Sequence, residues 1–205
     1  MSQALRPAVL FVQLEPPPAL LEEFHAWYDT EHVPERARIP GFLTTVRLVC
    51  PDAWPAYAGF YDLEHAGILG EHPYRSISGE NASAWSRRLL PKMVGYDRLL
   101  LEQVSDGRRP LAAEHRGVVI LRFSGDRHDL VVSGAARLAE ATAGGQHRVF
   151  RRLETSASET VLVLDAPALE LVPEWSAVEL RAALGEAASG LRGIWRYVRY
   201  SRQGS

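Results

Sequence analysis

The 205-residue sequence has little of several features that would assign a protein to a functional class. It has a single cysteine, Cys50, so no disulfide can form within the chain, which favours a reducing compartment. Its formal net charge is only −2, which gives no electrostatic reason to expect nucleic acid or an anionic membrane as a partner. No apolar run approaches the roughly 20 residues that a membrane-spanning helix needs.

Motifs for the common cofactors and nucleophiles are also missing. Gly144 and Gly145 stand without the Gly-Xaa-Gly-Xaa-Xaa-Gly or Walker spacing that cradles a phosphate. No serine occupies a Gly-Xaa-Ser-Xaa-Gly elbow, and the His-Glu-Xaa-Xaa-His zinc motif does not occur. Met1–Pro7 lacks the apolar core of a signal peptide, since Glu15 and a proline run follow closely. We therefore expect a cytoplasmic protein that uses no nucleotide, flavin or metal.

Strand-like and helix-like segments follow one another in the same order twice along the chain. Runs of aliphatic and aromatic residues predict strands, and apolar residues at helical spacing predict helices. The predicted strands are Ala8–Glu15, Phe42–Cys50, Tyr57–Leu63, Val94–Val104, Gly117–Phe123, His147–Leu153, Thr160–Leu164 and Gly193–Tyr200. The predicted helices run from Pro18 through His32, and over Glu80–Leu90, Leu130–Thr142 and Val172–Ala188.

The order β-α-β-β-α-β is that of the ferredoxin-like, or split βαβ, unit. We predict an α+β protein of two tandem units, over residues 1–106 and 116–205, joined by a charged linker over 107–115. Each unit would form a four-stranded antiparallel sheet with both helices on one face, which leaves an apolar face to be covered. We expect the two sheets to cover each other face to face within the chain.

The stretch Phe24–Phe42 concentrates polar side chains that could form a site. Helical residues three and four positions apart are neighbours, which predicts one stripe of His25, Tyr28, Asp29 and His32. An inward-facing stripe of this composition needs hydrogen-bond partners or a ligand. An imidazole titrates near neutrality, so His32 is a candidate acid or base, and Asp29 could orient either histidine. The alternative is a hydrogen-bonded helix histidine near a kink.

The run Trp27-Tyr28-Asp29-Thr30-Glu31-His32-Val33-Pro34, followed by Ile39-Pro40-Gly41-Phe42, resembles the first helix and turn of the EthD-like branch of the dimeric α+β-barrel superfamily. In that superfamily two ferredoxin-like units join their sheets into a barrel, and a unit can hold a pocket between its sheet and its helices. The resemblance implies an intrachain barrel of this kind with His32 pointing into a pocket. The second half has no matching run, which implies a structural role for it.

The resemblance also implies a class of reaction, because the superfamily includes cofactor-independent polyketide cyclases and isomerases. We expect an enzyme without a cofactor that acts on a small hydrophobic carbonyl compound or a polyketide-like aromatic metabolite, by cyclisation, isomerisation, dehydration or decarboxylation. In this scheme His32 is the acid or base, Asp29 its orienter, and His25, Tyr28 or Tyr61 stabilise the substrate oxygen. Some branches use haem with its ligand elsewhere, so neither haem nor a metal is expected.

Four further residues are candidates for binding the substrate: Phe11, Tyr61, Trp85 and Tyr96. They lie on predicted elements that could line the same pocket, where aromatic side chains would give stacking walls, but each could equally be a core residue. Arg47 could pair with a substrate carboxylate or with an acidic side chain at a sheet edge, and we expect the second. A small-molecule binding protein without activity is the alternative function, and a homodimer remains open.

Overall fold

The computed structural model describes residues 5–107, 109–154 and 158–201 of the chain. Eight strands form one closed antiparallel barrel in the order β1-β3-β2-β8-β5-β7-β6-β4, with β4 returning to β1. The strands are β1 (Ala8–Glu15), β2 (Phe42–Val49), β3 (Tyr57–Leu63), β4 (Val94–Gln103), β5 (Gly117–Ser124), β6 (Gln146–Arg152), β7 (Glu159–Ala166) and β8 (Leu191–Arg199).

Helices cover the outside of the barrel. They are α1 (Leu21–Trp27), α2 (Val33–Ala37), α3 (His72–Arg75), α4 (Ala84–Leu89), α5 (His128–Glu140) and α6 (Ala177–Leu184). Short 3-10 turns flank them at Pro18–Leu20, Ala66–Gly70, Gly79–Asn81, Leu90–Lys92, Leu169–Leu171 and Gly185–Gly190. No helix within the described ranges has both the length and the apolar character needed to cross a membrane.

Each half of the chain contributes four adjacent strands to the barrel in an equivalent order, β4-β1-β3-β2 and β8-β5-β7-β6. Two short seams join the halves. At one seam β2 pairs with β8 through Leu48–Arg199 and Val49–Val198, and at the other β4 pairs with β6. The mixed α+β class that the sequence predicts is therefore confirmed.

The last helix differs most from the sequence-based prediction. Pro173 suggested a start near Val172, but α6 begins after Ser176, whose hydroxyl accepts a hydrogen bond from the backbone N–H of Glu179. The carboxylate of Glu179 accepts one from the backbone N–H of Ser176 in return. This capping box satisfies two N–H groups that a helix start leaves free, and it fixes the start at this point.

Alternate residues along each strand point into the barrel and make its interior a packed core. Phe11, Phe60, Phe150 and Tyr197 belong to this cluster, and each is fully buried. The apolar faces of the two half-sheets therefore meet inside the barrel, as the sequence predicts. Cys50, which follows β2, is a small buried member of the same cluster.

Charged side chains lie near both ends of the barrel interior. At one end Arg148 of β6 donates to the Asp62 carboxylate of β3 and ties the second half to the first. At the other end Arg122 of β5 donates to Glu159 and, at 2.9 Å, to the side-chain oxygen of Gln13 on β1. Removing one partner of a buried ion pair typically costs about 3–5 kcal/mol, so the Arg148–Asp62 pair contributes strongly to joining the two halves.

Candidate functional site

A cavity of about 570 Å³ lies between the outer face of the first half-sheet and helices α1 to α4. Leu10, Val12 and Leu14 of β1 form one apolar wall, since they alternate with the residues that point into the barrel. The polar and charged lining residues include Tyr28, His32, Arg36, Tyr61, Tyr74, Tyr96 and Arg98. The volume is in the range of roughly 300–1,000 Å³ that is typical of small-molecule sites.

A single π-helical turn over Tyr28–His32 joins α1 to α2 and sets the direction of His32. Pro34 has no N–H to continue the α-helical ladder, and the N–H of Val33 bonds to the Tyr28 carbonyl, five residues back. The extra residue per turn places His32 against Trp27, with their ring centroids 4.3 Å apart. Such π turns are frequent at functional sites.

The imidazole of His32 is enclosed by aromatic rings. It packs against Trp27 and Tyr28 and meets Tyr61 edge-on, with centroids 6.3 Å apart. Burial holds the pKa of His32 well below its usual value, and the positive charges of Arg36 and Arg47 act in the same direction. His32 is therefore neutral at pH 7, and its buried Nδ1 has no hydrogen-bond partner among the described residues.

The phenol of Tyr61 lies in the same hollow. The Tyr28 hydroxyl is close enough to influence its pKa, but within the described ranges no contact of the buried Tyr61 hydroxyl has the geometry of a hydrogen bond. Gly59, two residues earlier on β3, makes room for it, because a Cβ at Gly59 would be only 2.6 Å from the Tyr61 hydroxyl. Buried polar groups are normally well paired, so a hydroxyl without a regular hydrogen bond beside an unpaired ring nitrogen indicates a place for a polar ligand.

Three phenols of the cavity, those of Tyr28, Tyr61 and Tyr96, remain protonated across the physiological range. Burial raises the pKa of Tyr28 to about 12. Burial also raises the pKa values of Tyr61 and Tyr96. All three are therefore available as hydrogen-bond donors at neutral pH.

Asp29 and His25 lie in a separate cluster on the other side of the first helix. Asp29 accepts a hydrogen bond from Arg47 Nη1, and Arg47 Nη2 is 2.8 Å from His25 Nδ1. Tyr200 stacks on His25 with an interplanar angle of 11° and lies 3.9 Å from the guanidinium carbon of Arg47. The expectation that Asp29 orients His32 is thus corrected, because the π turn rotates His32 away from the His25–Asp29 face. Arg47 pairs with an acidic side chain, as expected, although that side chain is on the helix.

Two of the four predicted substrate-binding residues lie elsewhere. Phe11 points into the barrel between Phe60 and Tyr197, because odd-numbered residues of β1 face inward there. The indole N–H of Trp85 donates to Glu23 at 2.9 Å and ties α4 to α1. The other two, Tyr61 and Tyr96, do line the cavity together with Tyr28 and His32.

Sequence reasoning missed Arg36 and Ser86, which also line the cavity. The hydroxyl of Ser86 accepts from the indole N–H of Trp27 at 3.0 Å and lies 3.3 Å from the Glu31 carboxylate. These contacts fix α4 against the first helix and set the width of the cavity. Arg36 follows His32 by four positions, which is the one sequence signal that could have identified it.

Solved structures share this fold, although no family model and no curated protein matches the sequence. An anthrone oxidase-like protein gives a TM-score of 0.66 at 14% identity, over 97% of this chain and 93% of that one. A proposed monooxygenase from Fusobacterium nucleatum gives 0.59 at 8% identity, over 96% and 93%. A haem-binding protein from Thermus thermophilus gives 0.56 at 10% identity, over 97% and 92%. At such identities the likeness shows the fold alone.

The expectation that no cofactor is used has to be corrected. A protein that binds haem has the same fold as this chain, so the absence of a sequence motif does not exclude that group. His32 would supply a neutral imidazole to hold the iron, and Arg36 and Arg98 would pair with the haem carboxylates. An axial histidine usually donates its second ring N–H to an acceptor, whereas Nδ1 of His32 has none among the described residues. The residues therefore fit haem in part.

No three His, Cys, Asp or Glu side chains in the described part of the chain come together as a metal-binding group. Chlorite dismutases are also among the structural neighbours, and no comparison singles out the EthD-like branch. The chain therefore has the fold of the dimeric α+β-barrel proteins.

Proposed function

We propose that the cavity of the first half binds a small aromatic or polyketide-like carbonyl compound, and that His32 removes a proton from the carbon next to the carbonyl group. The observation that carries this proposal is a neutral, partly buried His32 that packs against aromatic rings, beside a Tyr61 hydroxyl without a regular hydrogen bond, in a mainly apolar cavity. The second half would be a structural partner, and we interpret each half as one ferredoxin-like unit, which the equivalent strand orders support.

A neutral imidazole can accept a proton and cannot act as the first acid, so the state of His32 favours the role of a base. General base catalysis of this kind contributes about 10²- to 10⁴-fold. The lowered pKa of His32 makes it a weak base, so stabilisation of the product anion must supply part of the driving force.

The tyrosine hydroxyls are suited to stabilise that anion. Removal of the proton moves negative charge onto the carbonyl oxygen, and protonated phenols at Tyr28, Tyr61 and Tyr96 can donate to it. Tyr28 and Tyr61 are buried, whereas Tyr96 is half-exposed, so the first two are the donors whose fixed position away from bulk solvent strengthens their hydrogen bonds to a developing charge.

The name of one structural neighbour agrees with a substrate of this class, and the name of another indicates an oxidative reaction. One is anthrone oxidase-like and another is a proposed monooxygenase, and anthrones are polycyclic ketones with an activated C–H group. Oxygenation, with dioxygen as the second substrate and oxidant, is therefore a further possible reaction of the anion beside cyclisation, isomerisation, dehydration and decarboxylation.

Hydrogen–deuterium exchange tests the proton-removal step without knowledge of the final product. The exchange of activated C–H protons in 2-tetralone and in anthrone would be followed by NMR in D₂O. We expect the wild-type protein to accelerate exchange and His32→Ala to lose at least about 10²-fold of that acceleration. His72→Ala is the matched control, because His72 is exposed and is not among the residues that line the cavity. Equal acceleration by wild type and His32→Ala would refute the proposal.

Binding without catalysis is the second candidate function, and the low basicity of His32 favours it. It predicts that the wild-type protein binds these ketones but accelerates the exchange of neither. Haem is a ligand to include, since His32 is the candidate axial ligand. A titration with haem would then give an absorbance band that changes in His32→Ala and not in His72→Ala.

A further inference from the structure

Arg36 is a buried cation whose contacts within the described ranges are all long. The residue is 6% exposed and lines the cavity. Its guanidinium lies 3.5 Å from the carbonyl oxygen of Ile77 and 3.5 Å from the Glu35 carboxylate, and it lies over the ring of Tyr74. Charge-assisted hydrogen bonds are normally about 2.7–2.9 Å, so none of these contacts satisfies the buried charge well.

The other arginines of the cavity have shorter contacts. Arg87 is exposed and donates to the Ala82 carbonyl oxygen at 2.7 Å. Arg98 is part-exposed and donates to Glu154 at 3.2 Å. The single acidic residue among the described residues that line the cavity is Glu80, which is exposed. The lining is therefore net positive, and the deepest of its positive charges has the weakest contacts.

We propose, on the basis of the proposed function, that the ligand of this cavity carries a carboxylate and that Arg36 binds it. The planar guanidinium matches a carboxylate through two parallel N–H donors, whereas it matches a ketone oxygen less well. Burying an arginine without a close partner is costly, and the carboxylate of a ligand would offset that cost. The substrate class narrows to aromatic or hydrophobic keto acids.

The position of Arg36 also fixes which end of the ligand bears the charge. His32 and Arg36 are four residues apart, across regular helix α2, and both line the cavity. Such side chains have Cβ atoms roughly 5–6 Å apart. A ligand bound to Arg36 through its carboxylate would therefore hold the neighbouring carbon atoms close to His32, so the reacting C–H group lies at the acidic end of the molecule.

Two probes of nearly equal shape, one with a carboxylate and one without, measure how much the ligand's negative charge contributes to binding. 2-Naphthoate carries a carboxylate where 2-acetonaphthone carries an uncharged methyl ketone, and quenching of Trp27, which lines the cavity, reports the binding of either. We expect the wild-type protein to bind the naphthoate roughly 10- to 100-fold more tightly, which is the range for a hydrogen-bonded charge. Arg36→Gln should abolish that preference, and Arg36→Lys should retain part of it.

The matched control is Arg38→Gln, which removes the same charge two residues away from an exposed position outside the cavity. It should keep the wild-type preference for the naphthoate. Equal affinity of the wild-type protein for the two probes, or the same preference in Arg36→Gln, would overturn the inference and leave the proposed function standing. If neither probe binds the wild-type protein, the proposed function fails together with the inference. If Arg36→Gln does not fold, the affinity ratio of the two probes is compared between the wild-type protein and Arg36→Lys. A wild-type preference for the naphthoate that is reduced in Arg36→Lys supports the inference, and an unchanged preference overturns it.

Discussion

Tyr61→Phe is expected to leave the protein as stable as before or to make it more stable, which is unusual for a change at a fully buried residue. The side chain of Tyr61 is 2% exposed, and the contact of its hydroxyl with the nearby Tyr28 hydroxyl falls short of regular hydrogen-bond geometry. A buried polar group without a partner costs about 1–3 kcal/mol. Removing only the hydroxyl eliminates that cost and leaves the packing of the ring in place.

Tyr197→Phe is the matched control for this change. Tyr197 is equally buried, but its hydroxyl accepts a hydrogen bond from Gln13 Nε2 at 2.8 Å. Deleting that hydroxyl leaves a buried amide without its acceptor, so we expect a loss of about 1–3 kcal/mol. The two variants should therefore differ by at least about 1 kcal/mol in the free energy of unfolding, which corresponds to roughly 2–4 °C in Tm for a chain of this size.

Urea unfolding followed by tryptophan fluorescence measures this difference directly. The same samples give the second half of the test, because Tyr61→Phe should slow deuterium exchange of 2-tetralone by roughly 10-fold or more. Tyr197→Phe should not slow it, since Tyr197 points into the barrel. If Tyr61→Phe destabilised the protein as much as Tyr197→Phe, the Tyr61 hydroxyl would have a partner in the free protein. The Tyr61 hydroxyl would then give no reason to expect a polar ligand beside His32.

Three further changes test the rest of the site. As the pH falls from 6.5 to 5, the wild-type protein should lose up to about 1.4 kcal/mol of unfolding free energy per pH unit relative to His32→Gln. The reason is that the pKa of His32 is lowered in the folded state, so the unfolded chain takes up the proton first. An equal pH dependence of the unfolding free energy in the two proteins would contradict this. Gly59→Ala should displace the Tyr61 ring, cost about 1–3 kcal/mol and weaken probe binding, whereas Gly70→Ala, which meets nothing within 4 Å, should do neither. Asp29→Asn should lower stability by about 1 kcal/mol through its contact with Arg47 and leave the exchange rate unchanged, and a slower exchange would show that Asp29 acts on His32 after all.

The strands were the most predictable part of the molecule. β1 and β3 begin and end where the runs of aliphatic and aromatic residues predict, because a strand buried on both faces leaves a short apolar run bounded by turn residues. The start of α6 was missed because Pro173 also suits an extended segment, and only the reciprocal contacts of Ser176 and Glu179 determine where the helix begins.

The candidate site could be predicted in composition but not in arrangement. Helical spacing correctly grouped Tyr28 and His32, but it also grouped Asp29 with them. That spacing assumes about 3.6 residues per turn, and the π turn next to Pro34 breaks the assumption at this point. Asp29 forms an ion pair with Arg47 of β2 instead, and a partner on another element cannot be predicted from spacing along one helix.

The irregularity of the first helix also explains why a cavity lies beneath it. In the second half α5 is a regular helix of 13 residues, and it packs closely on α6 at Gly134, where a Cβ would be 2.5 Å from the Ala183 carbonyl oxygen. In the first half the corresponding segment is broken by the π turn, and α4 is only six residues long. Short helices that are tied together by polar contacts such as Trp27–Ser86 cannot fill the sheet surface as a continuous helix does. A variant that restored a regular helix by deleting one residue of the π turn should therefore close the cavity and abolish probe binding while the barrel still folds.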